Sequence, residues 1–142
     1  MNAKEYLSQV YTLEQIIKSN VDQIESLNEM ATKYTSFLSF TPGGTNKSNS
    51  RMEDTVARIV DMKEELDAEI NKLYDLRDEI VAVIKSVENL EYRSILAYRY
   101  LCNMKWESIA DRMHYGITWT KKLHERALNV VDRLLEKKCD RK

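Results

Sequence analysis

Residues 106–128 read WESIADRMHYGITWTKKLHERAL, and this stretch decides the predicted fold of the C-terminal part of the chain. Apolar residues such as Ile109 and Met113 recur at helical spacing in its first half. Gly116 then provides a short turn, and a longer, lysine-rich helix is predicted to begin at about Ile117. Two helices joined by a tight glycine-containing turn are typical of a helix-turn-helix, whose second helix enters the major groove of DNA.

A third short helix is predicted in front of this pair, from about Tyr92 to Leu101. The heptad pattern of the preceding chain stops at this point, so we place a domain boundary after Glu88. Residues 1–88 carry 10 Lys and Arg against 16 Asp and Glu, a net charge of −6, whereas residues 89–142 carry 12 against 7, a net charge of +5. A basic segment on an acidic chain indicates a polyanionic partner. Residues 89–142 are therefore predicted to form a three-helix DNA-binding module.

The first 88 residues carry two heptad patterns. The first seam runs through Ala3, Tyr6, Val10, Leu13, Ile17, Asn20, Ile24, Leu27, Ala31, Tyr34 and Leu38. The second seam is predicted to run through Met52, Val56, Ile59, Lys63, Leu66, Ile70, Leu73, Arg77, Ile80, Ile84 and Val87. Residues 41–50 lie between the seams, hold the only proline and two of the three glycines, and predict a mobile loop. The predicted fold class is thus all-α, with a long antiparallel, coiled-coil-like hairpin before the helix-turn-helix module.

Three polar residues interrupt the two seams. Asn20 is typical of a seam residue that sets register or oligomeric state, and the alternative, a buried hydrogen-bonded pair, needs a partner that the sequence does not identify. Lys63 and Arg77 can keep their stems packed while their charges reach water, so they weaken the second seam without ending it.

Further apolar residues flank both seams and need cover. They are Leu7, Ile16, Val21, Phe37, Phe40, Val60, Leu76, Val81 and Val83. A two-helix hairpin cannot hide all of them, which favours a homodimer through the hairpin or a pairing of the seams between chains.

Several classes of protein are excluded or disfavoured by composition. Glycine and proline number four in 142 residues, so sandwiches, barrels and doubly wound folds are excluded. The chain lacks an apolar run of the roughly 18 residues that a membrane helix needs and lacks a signal peptide, so we expect a cytoplasmic protein without membrane contact. Cys102 and Cys139 show no metal-ligand spacing, and we expect neither a disulfide nor zinc. Because phosphate-binding loops and nucleophile motifs are also missing, we expect no cofactor and no enzyme activity.

Three short phrases carry a resemblance to a known family. They are RYL at residues 99–101, WESIA at residues 106–110 and LHERAL at residues 123–128. In order and spacing they resemble region 4 of the sigma-70 family, which reads the −35 promoter element. Together with the preceding helical hairpin and its polar loop, they are also similar to a family of sigma-like transcription regulators from phages and prophages of Gram-positive bacteria.

The resemblance implies a transcription regulator that binds double-stranded DNA in a sequence-specific way, with RNA polymerase as a further partner. The residues that it places toward the bases are Ile117, Thr118, Lys121 and Lys122. Those that suit contacts with the DNA backbone are Arg112, His114, Trp119 and Arg126. Trp119 stands outside the apolar stripe of its helix, so it either lies on DNA or packs against the hairpin.

The sequence departs from the family's pattern at three positions. His114 stands where a turn glycine is frequent, and Gly116 stands where a Ser or Thr caps the recognition helix. Thr120 stands where a buried aliphatic residue is usual.

Two other functions stay open. A phage DNA-packaging component of the small-terminase kind also combines a helix-turn-helix with helical oligomerisation, and a ring oligomer would favour it. A coiled-coil interaction protein that does not bind DNA would use the C-terminal helices as a cap on the hairpin. Failure to bind DNA would favour this last function.

Overall fold

The computed structural model describes residues 1–39 and 46–140, with the backbone alone at residues 34–39 and 46–49. In chain order the helices are α1 Ala3–Ser39, α2 Asn46–Lys85, α3 Leu90–Leu96, α4 Trp106–Met113 and α5 Ile117–Asp140. Since the described residues contain no strand, the predicted all-α class is confirmed. The predicted loop at residues 41–50 is too long, because residues 46–50 are already helical, and its remaining residues lie outside the described ones.

The predicted bounds of the C-terminal helices agree closely with the structure. Helix α4 has the predicted limits, and α5 begins at the predicted residue. The first helix of the module begins earlier than predicted, because the Asn89 side chain accepts hydrogen bonds from the backbone N–H groups of Glu91 and Tyr92 and caps α3. After Leu96 the helix widens into one π-helical turn over Ala97–Leu101, closed by the Cys102 N–H on the Ala97 carbonyl at 3.0 Å.

The chain divides into two compact units. The terminal unit consists of Met1–Leu13 and Leu73–Lys142, and the central unit is Glu14–Lys72. These two units are defined by contacts between residues. The domain boundary after residue 88 is based on charge and sequence motifs, and it stays a prediction.

The terminal unit has a continuous apolar core. Its buried members are Ala3, Leu7, Val10, Ile80, Val83, Ile84, Val87, Ile95, Leu96, Tyr100, Ile109, Leu123, Ala127 and Val131. The start of α1 and the end of α2 thus share one core with the helix-turn-helix. Two of the flanking residues expected to need cover, Leu7 and Val83, are buried in this core.

Polar contacts fix the start of α1 inside the terminal unit. The Ala3 N–H donates to the Asp132 carboxylate of α5 at 2.7 Å, which satisfies one of the free donors at a helix N-terminus. The Tyr6 hydroxyl donates to Glu79 of α2 at 2.7 Å. Burial, followed by this carboxylate, raises the pKa of Tyr6, so its hydroxyl keeps the proton that it donates.

In the central unit, α1 and α2 run antiparallel. The Asn20 side chain donates to the Glu69 carboxylate at 2.6 Å, and Leu27 lines the same groove as Arg58. Later residues of α1 therefore lie beside earlier residues of α2. Among the described side chains, every predicted member of the first seam is buried or half-buried. The first seam is therefore confirmed there, and Glu69 is the partner of Asn20 that the sequence did not identify.

The second seam was predicted only in part. Its positions Met52, Ile59, Leu66, Ile70, Leu73, Ile80, Ile84 and Val87 are buried or half-buried, as predicted. The residues one position before the predicted alternate members, Thr55, Met62, Glu69, Leu76 and Val83, are also buried or half-buried. Val56, Lys63 and Arg77 are exposed instead, so the two cations do not interrupt the seam. The prediction was wrong at Val56, Lys63 and Arg77, because a heptad pattern allows either of two adjacent residues and the less exposed ones there are Thr55, Met62 and Leu76.

Candidate nucleic-acid interface

The turn between α4 and α5 depends on a residue with left-handed backbone geometry. His114 has φ 59° and ψ 38°, its N–H bonds to the Ala110 and Asp111 carbonyls, and the Tyr115 N–H bonds to the Ala110 carbonyl at 3.1 Å. This is a Schellman motif, in which glycine is the preferred residue at the left-handed position. The family that the sequence resembles often has a glycine at this position, and the left-handed geometry gives a physical reason for it. In this chain His114 fills the position with its side chain exposed.

The first turn of α5 is closed by Gly116 and Thr120. The Gly116 carbonyl accepts from the Thr120 N–H at 3.0 Å and from the Thr120 hydroxyl at 2.9 Å. Thr120 is fully buried, and this bond satisfies its hydroxyl, so a threonine can occupy a position where an aliphatic residue is usual. A Cβ at Gly116 would meet no heavy atom within 4 Å, so glycine is not required there by space.

Helix α5 has one buried and one exposed face. Its buried residues are Thr120, Leu123, His124, Ala127 and Val131. The predicted base-facing residues Ile117, Thr118, Lys121 and Lys122 are all exposed, Ile117 by 42%. At a helical repeat of about 100° per residue, the last three lie within one broad face over the first two turns. The structure thus brings the predicted set together on the free side of α5.

Aromatic rings hold several of the predicted backbone-contact residues. The Arg126 guanidinium lies 5.2 Å from the centre of the Trp119 ring, and the Arg112 guanidinium lies 5.7 Å from that of Tyr98. Trp119 is 40% exposed, and both arginines are exposed. A guanidinium over a ring face keeps its edge N–H donors available, while its rotamer is restricted.

A buried polar cluster anchors the inner side of α5. His124 Nε2 lies 2.7 Å from the Tyr100 hydroxyl, and the Trp106 ring meets the imidazole edge-on with centroids 4.7 Å apart. The Arg99 guanidinium lies over the Trp106 ring, at 4.6 Å from its centre, and donates to the Met104 carbonyl. Burial is the main cause that lowers the pKa of His124 to about 4, with Arg99 and Lys4 adding to it. His124 is therefore neutral near pH 7 and serves as a packing residue.

The same cluster raises the pKa of Tyr100 to about 12, mainly through burial. The hydroxyl therefore stays protonated and can donate to His124. His124 was not among the predicted site residues. The available signal was its place next to Leu123 on the buried stripe of α5.

Two exposed residues of this face were not among the predicted set. Glu125 follows Lys121 and Lys122 by one helical turn, and Asn129 follows Glu125 by another. A carboxylate can accept from the cytosine amino group, and an asparagine can bond adenine in a bidentate way. Their spacing from the lysines was the signal that would have found them.

Other kinds of site receive no support from the described part of the chain. No group of three His, Cys, Asp or Glu residues there has the placement of a metal site. Within the same residues, no helix combines the length and the apolar character that a membrane span requires.

A family model described as "Protein of unknown function (DUF1492)" matches residues 37–132, which are 96 of the 142 residues. The matched range ends within α5, so it contains the Schellman turn and the exposed face at the start of that helix. No curated protein and no solved structure matches the chain.

Proposed function

The chain belongs to the DUF1492 family, and we propose that it is a sequence-specific DNA-binding transcription regulator that uses α5 as its recognition helix. The observation that carries this proposal is the exposed, lysine-bearing face of α5 directly after a Schellman turn. Thr118, Lys121 and Lys122 lie on that face, within a segment whose net charge is +5. A helix that enters the major groove needs a free face of this kind in its first turns.

Direct reading of bases is assigned to four side chains. Lys121 and Lys122 donate to guanine edges or to phosphates, and Thr118 donates or accepts. Ile117 offers only an apolar contact, which suits a thymine methyl group. Glu125 lies between the two lysines one turn further on, so it disfavours phosphate nearby and favours a cytosine amino group.

Affinity without sequence preference is assigned to the surrounding cations. Arg112 and Arg126, each held by an aromatic ring, donate to phosphates, and His114 and Trp119 contact the backbone beside them. Neutralising phosphates releases counterions, so the affinity is expected to fall steeply as salt rises.

The regulatory part of the proposal rests on the resemblance to sigma-70 region 4 and to sigma-like regulators of phages and prophages. We propose phage or prophage genes as the targets and RNA polymerase as the protein partner. Run-off transcription with purified RNA polymerase from a Gram-positive bacterium tests this part. A change in transcript yield that depends on the selected binding site supports it, and an unchanged yield at saturating protein contradicts it.

The experiment for DNA binding compares two lysine pairs on the same helix. A duplex is selected from a random pool with the full chain, and its binding is measured by fluorescence anisotropy at two salt concentrations. Lys121→Ala with Lys122→Ala is expected to weaken binding to the selected duplex by about tenfold or more. The matched control, Lys137→Ala with Lys138→Ala, removes two exposed positive charges near the other end of α5.

The control separates a recognition site from general charge. Equal losses in the two double variants would reduce the binding to non-specific attraction and contradict the site assignment. Circular dichroism of both variants checks that the helical content is unchanged. If the native protein binds neither selected nor scrambled duplex at low salt, the DNA-binding proposal fails.

A further inference from the structure

The two edges of the helix pair in the central unit differ in chemistry. On one edge, a groove is lined by Asn20, Gln23, Ser26, Leu27, Arg58, Asp61, Met62 and Glu65. This edge is mostly polar. The opposite edge is formed by residues that come one position after the seam residues, on both α1 and α2.

This opposite edge, here called the charged-apolar edge, has a short and regular pattern. On α1 it consists of Lys18, Val21 and Glu25, and on α2 it consists of Val60, Lys63, Asp67 and Ile70. The steps of three and four residues keep each set on one stripe of its helix. Val60 is 50% exposed, Val21 and Ile70 are half-buried, and the four charged residues are exposed. A heptad stripe that combines apolar side chains with charges of both signs is typical of a helix surface that packs against another helix.

The α2 stripe is complementary to itself when it is reversed. An antiparallel copy centred on residue 65 places Lys63 opposite Asp67 and Val60 opposite Ile70. Each of these pairings then occurs twice, as a two-fold interface requires. Apolar residues thus meet apolar residues at both ends, and two ion pairs form in the middle.

The α1 stripe has the same property with the same centre. An antiparallel copy centred between residues 21 and 22 places Lys18 opposite Glu25, with Val21 beside the axis. Within the central unit, the centre of the α1 stripe lies about level with residue 65 of α2. Glu65 lines the same groove as Asn20 and Gln23. Glu69, which accepts the hydrogen bond from Asn20, lies one turn further along α2. One two-fold axis therefore satisfies the charges of both helices at once.

We propose that the charged-apolar edge binds a second copy of this chain, with the two central units forming an antiparallel four-helix bundle. Lys63 pairs with Asp67 of the second copy, and Lys18 pairs with Glu25 of the second copy. Charge complementarity under a single axis is the argument for a second copy, since a different partner would have no reason to match a self-reversed pattern on two helices. The inference does not depend on DNA binding.

Charge reversal on the full chain tests the pairing. Sedimentation equilibrium over a concentration series is expected to show a dimer for the native protein. Lys63→Asp and Asp67→Lys each place like charges opposite one another twice, and each is expected to weaken the dimer by about tenfold or more. An equimolar mixture of the two variants restores both ion pairs, so it is expected to regain the native affinity.

The matched control is Asp54→Lys. Asp54 is exposed on α2 and lies nine residues before Lys63, on the opposite side of the helix at about 100° per residue. Its reversal is expected to leave the dimer unchanged, and circular dichroism checks that every variant keeps its helical content. A native protein that stays monomeric at all concentrations overturns the proposal. So does a dimer, or a ring, whose affinity responds equally to all three reversals or to none.

Discussion

The terminal and central units bury their apolar side chains to different degrees. In the terminal unit, α1, α2, α3, α4 and α5 surround a core in which Leu7, Ile95 and Val131 are fully buried. Among the described side chains of the central unit, only Ile24 and Ile59 are apolar and less than a tenth exposed. Two helices can cover one stripe of each other but not the flanks beside it. The terminal unit therefore has a closed apolar core, whereas the central unit leaves apolar side chains such as Val56 and Val60 about half exposed beside its seam.

The two units also treat their inner polar groups differently. The Tyr100–His124 pair of the terminal unit is surrounded by core residues, and both side chains are less than a tenth exposed. The Asn20–Glu69 pair of the central unit is only half-buried. A change in charge is therefore costly in the first pair and mild in the second.

The largest expected effect is on the terminal unit and comes from pH. The folded chain holds the pKa of His124 at about 4, below the ordinary value near 6.5, so the unfolded chain takes up the proton first as pH falls. The free energy of unfolding is expected to drop by about 2–3 kcal/mol between pH 6.5 and pH 4 through this residue. Urea unfolding followed by circular dichroism measures it.

The double variant Tyr100→Phe with His124→Leu is the control, because it removes the titrating group together with its hydrogen-bond partner. Its stability is expected to fall less over the same pH range, by the amount assigned to His124. An identical pH dependence in the native and double-variant proteins would assign the loss to carboxylates elsewhere.

A smaller effect is expected when the inner polar pair of the central unit is replaced. Asn20→Leu with Glu69→Leu turns both positions into apolar seam residues, and it is expected to raise the free energy of unfolding by about 1–2 kcal/mol. The single variant Asn20→Leu leaves the Glu69 carboxylate without its amide donor and is expected to gain less. Urea unfolding of the three proteins measures both differences. A double variant that is less stable than the native chain would show that the pair stabilises the seam.

The smallest effect is expected at the turn before α5. His114→Gly removes the strain of a Cβ in the left-handed region and is expected to raise the stability of the terminal unit by about 1 kcal/mol. His114→Ala removes the same imidazole but keeps the Cβ, so it is expected to give no such gain. Thermal unfolding compares the two variants, and an equal gain in both would place the cost in the imidazole and not in the backbone.

Sequence patterns predicted the terminal unit's helices well because each has a local signal. Gly116 and the apolar spacing around Ile109 fixed α4 and the start of α5. The contact of the Ala3 N–H with Asp132 and the pairing of Tyr100 with His124 join distant parts of the chain. Neither leaves a periodic trace, so the sequence could not predict them.

The second seam shows a different limit. Helix α2 carries apolar residues on two neighbouring stripes, and the heptad rule accepts either Val56 or Thr55 as the next member after Met52. Only the position of α1 decides between them, because the seam is the stripe that faces it. For the candidate interface, the structure tests only the exposure of the predicted residues, and all eight lie on the surface. Their contacts with DNA stay a prediction.

The terminal unit is assembled from two separated segments, and this has a consequence for the order of folding during synthesis. Val10 and Val131 belong to the same core, so this core cannot close until Val131 has been synthesised. The ribosome must add about 120 residues between the two. At about 5–20 residues per second this takes roughly 6–24 s. The intervening central unit needs only contacts within Glu14–Lys72, so it is free to pair its helices first. An early hairpin of this kind brings the two ends of the late unit close together and shortens the loop that its closure must otherwise form.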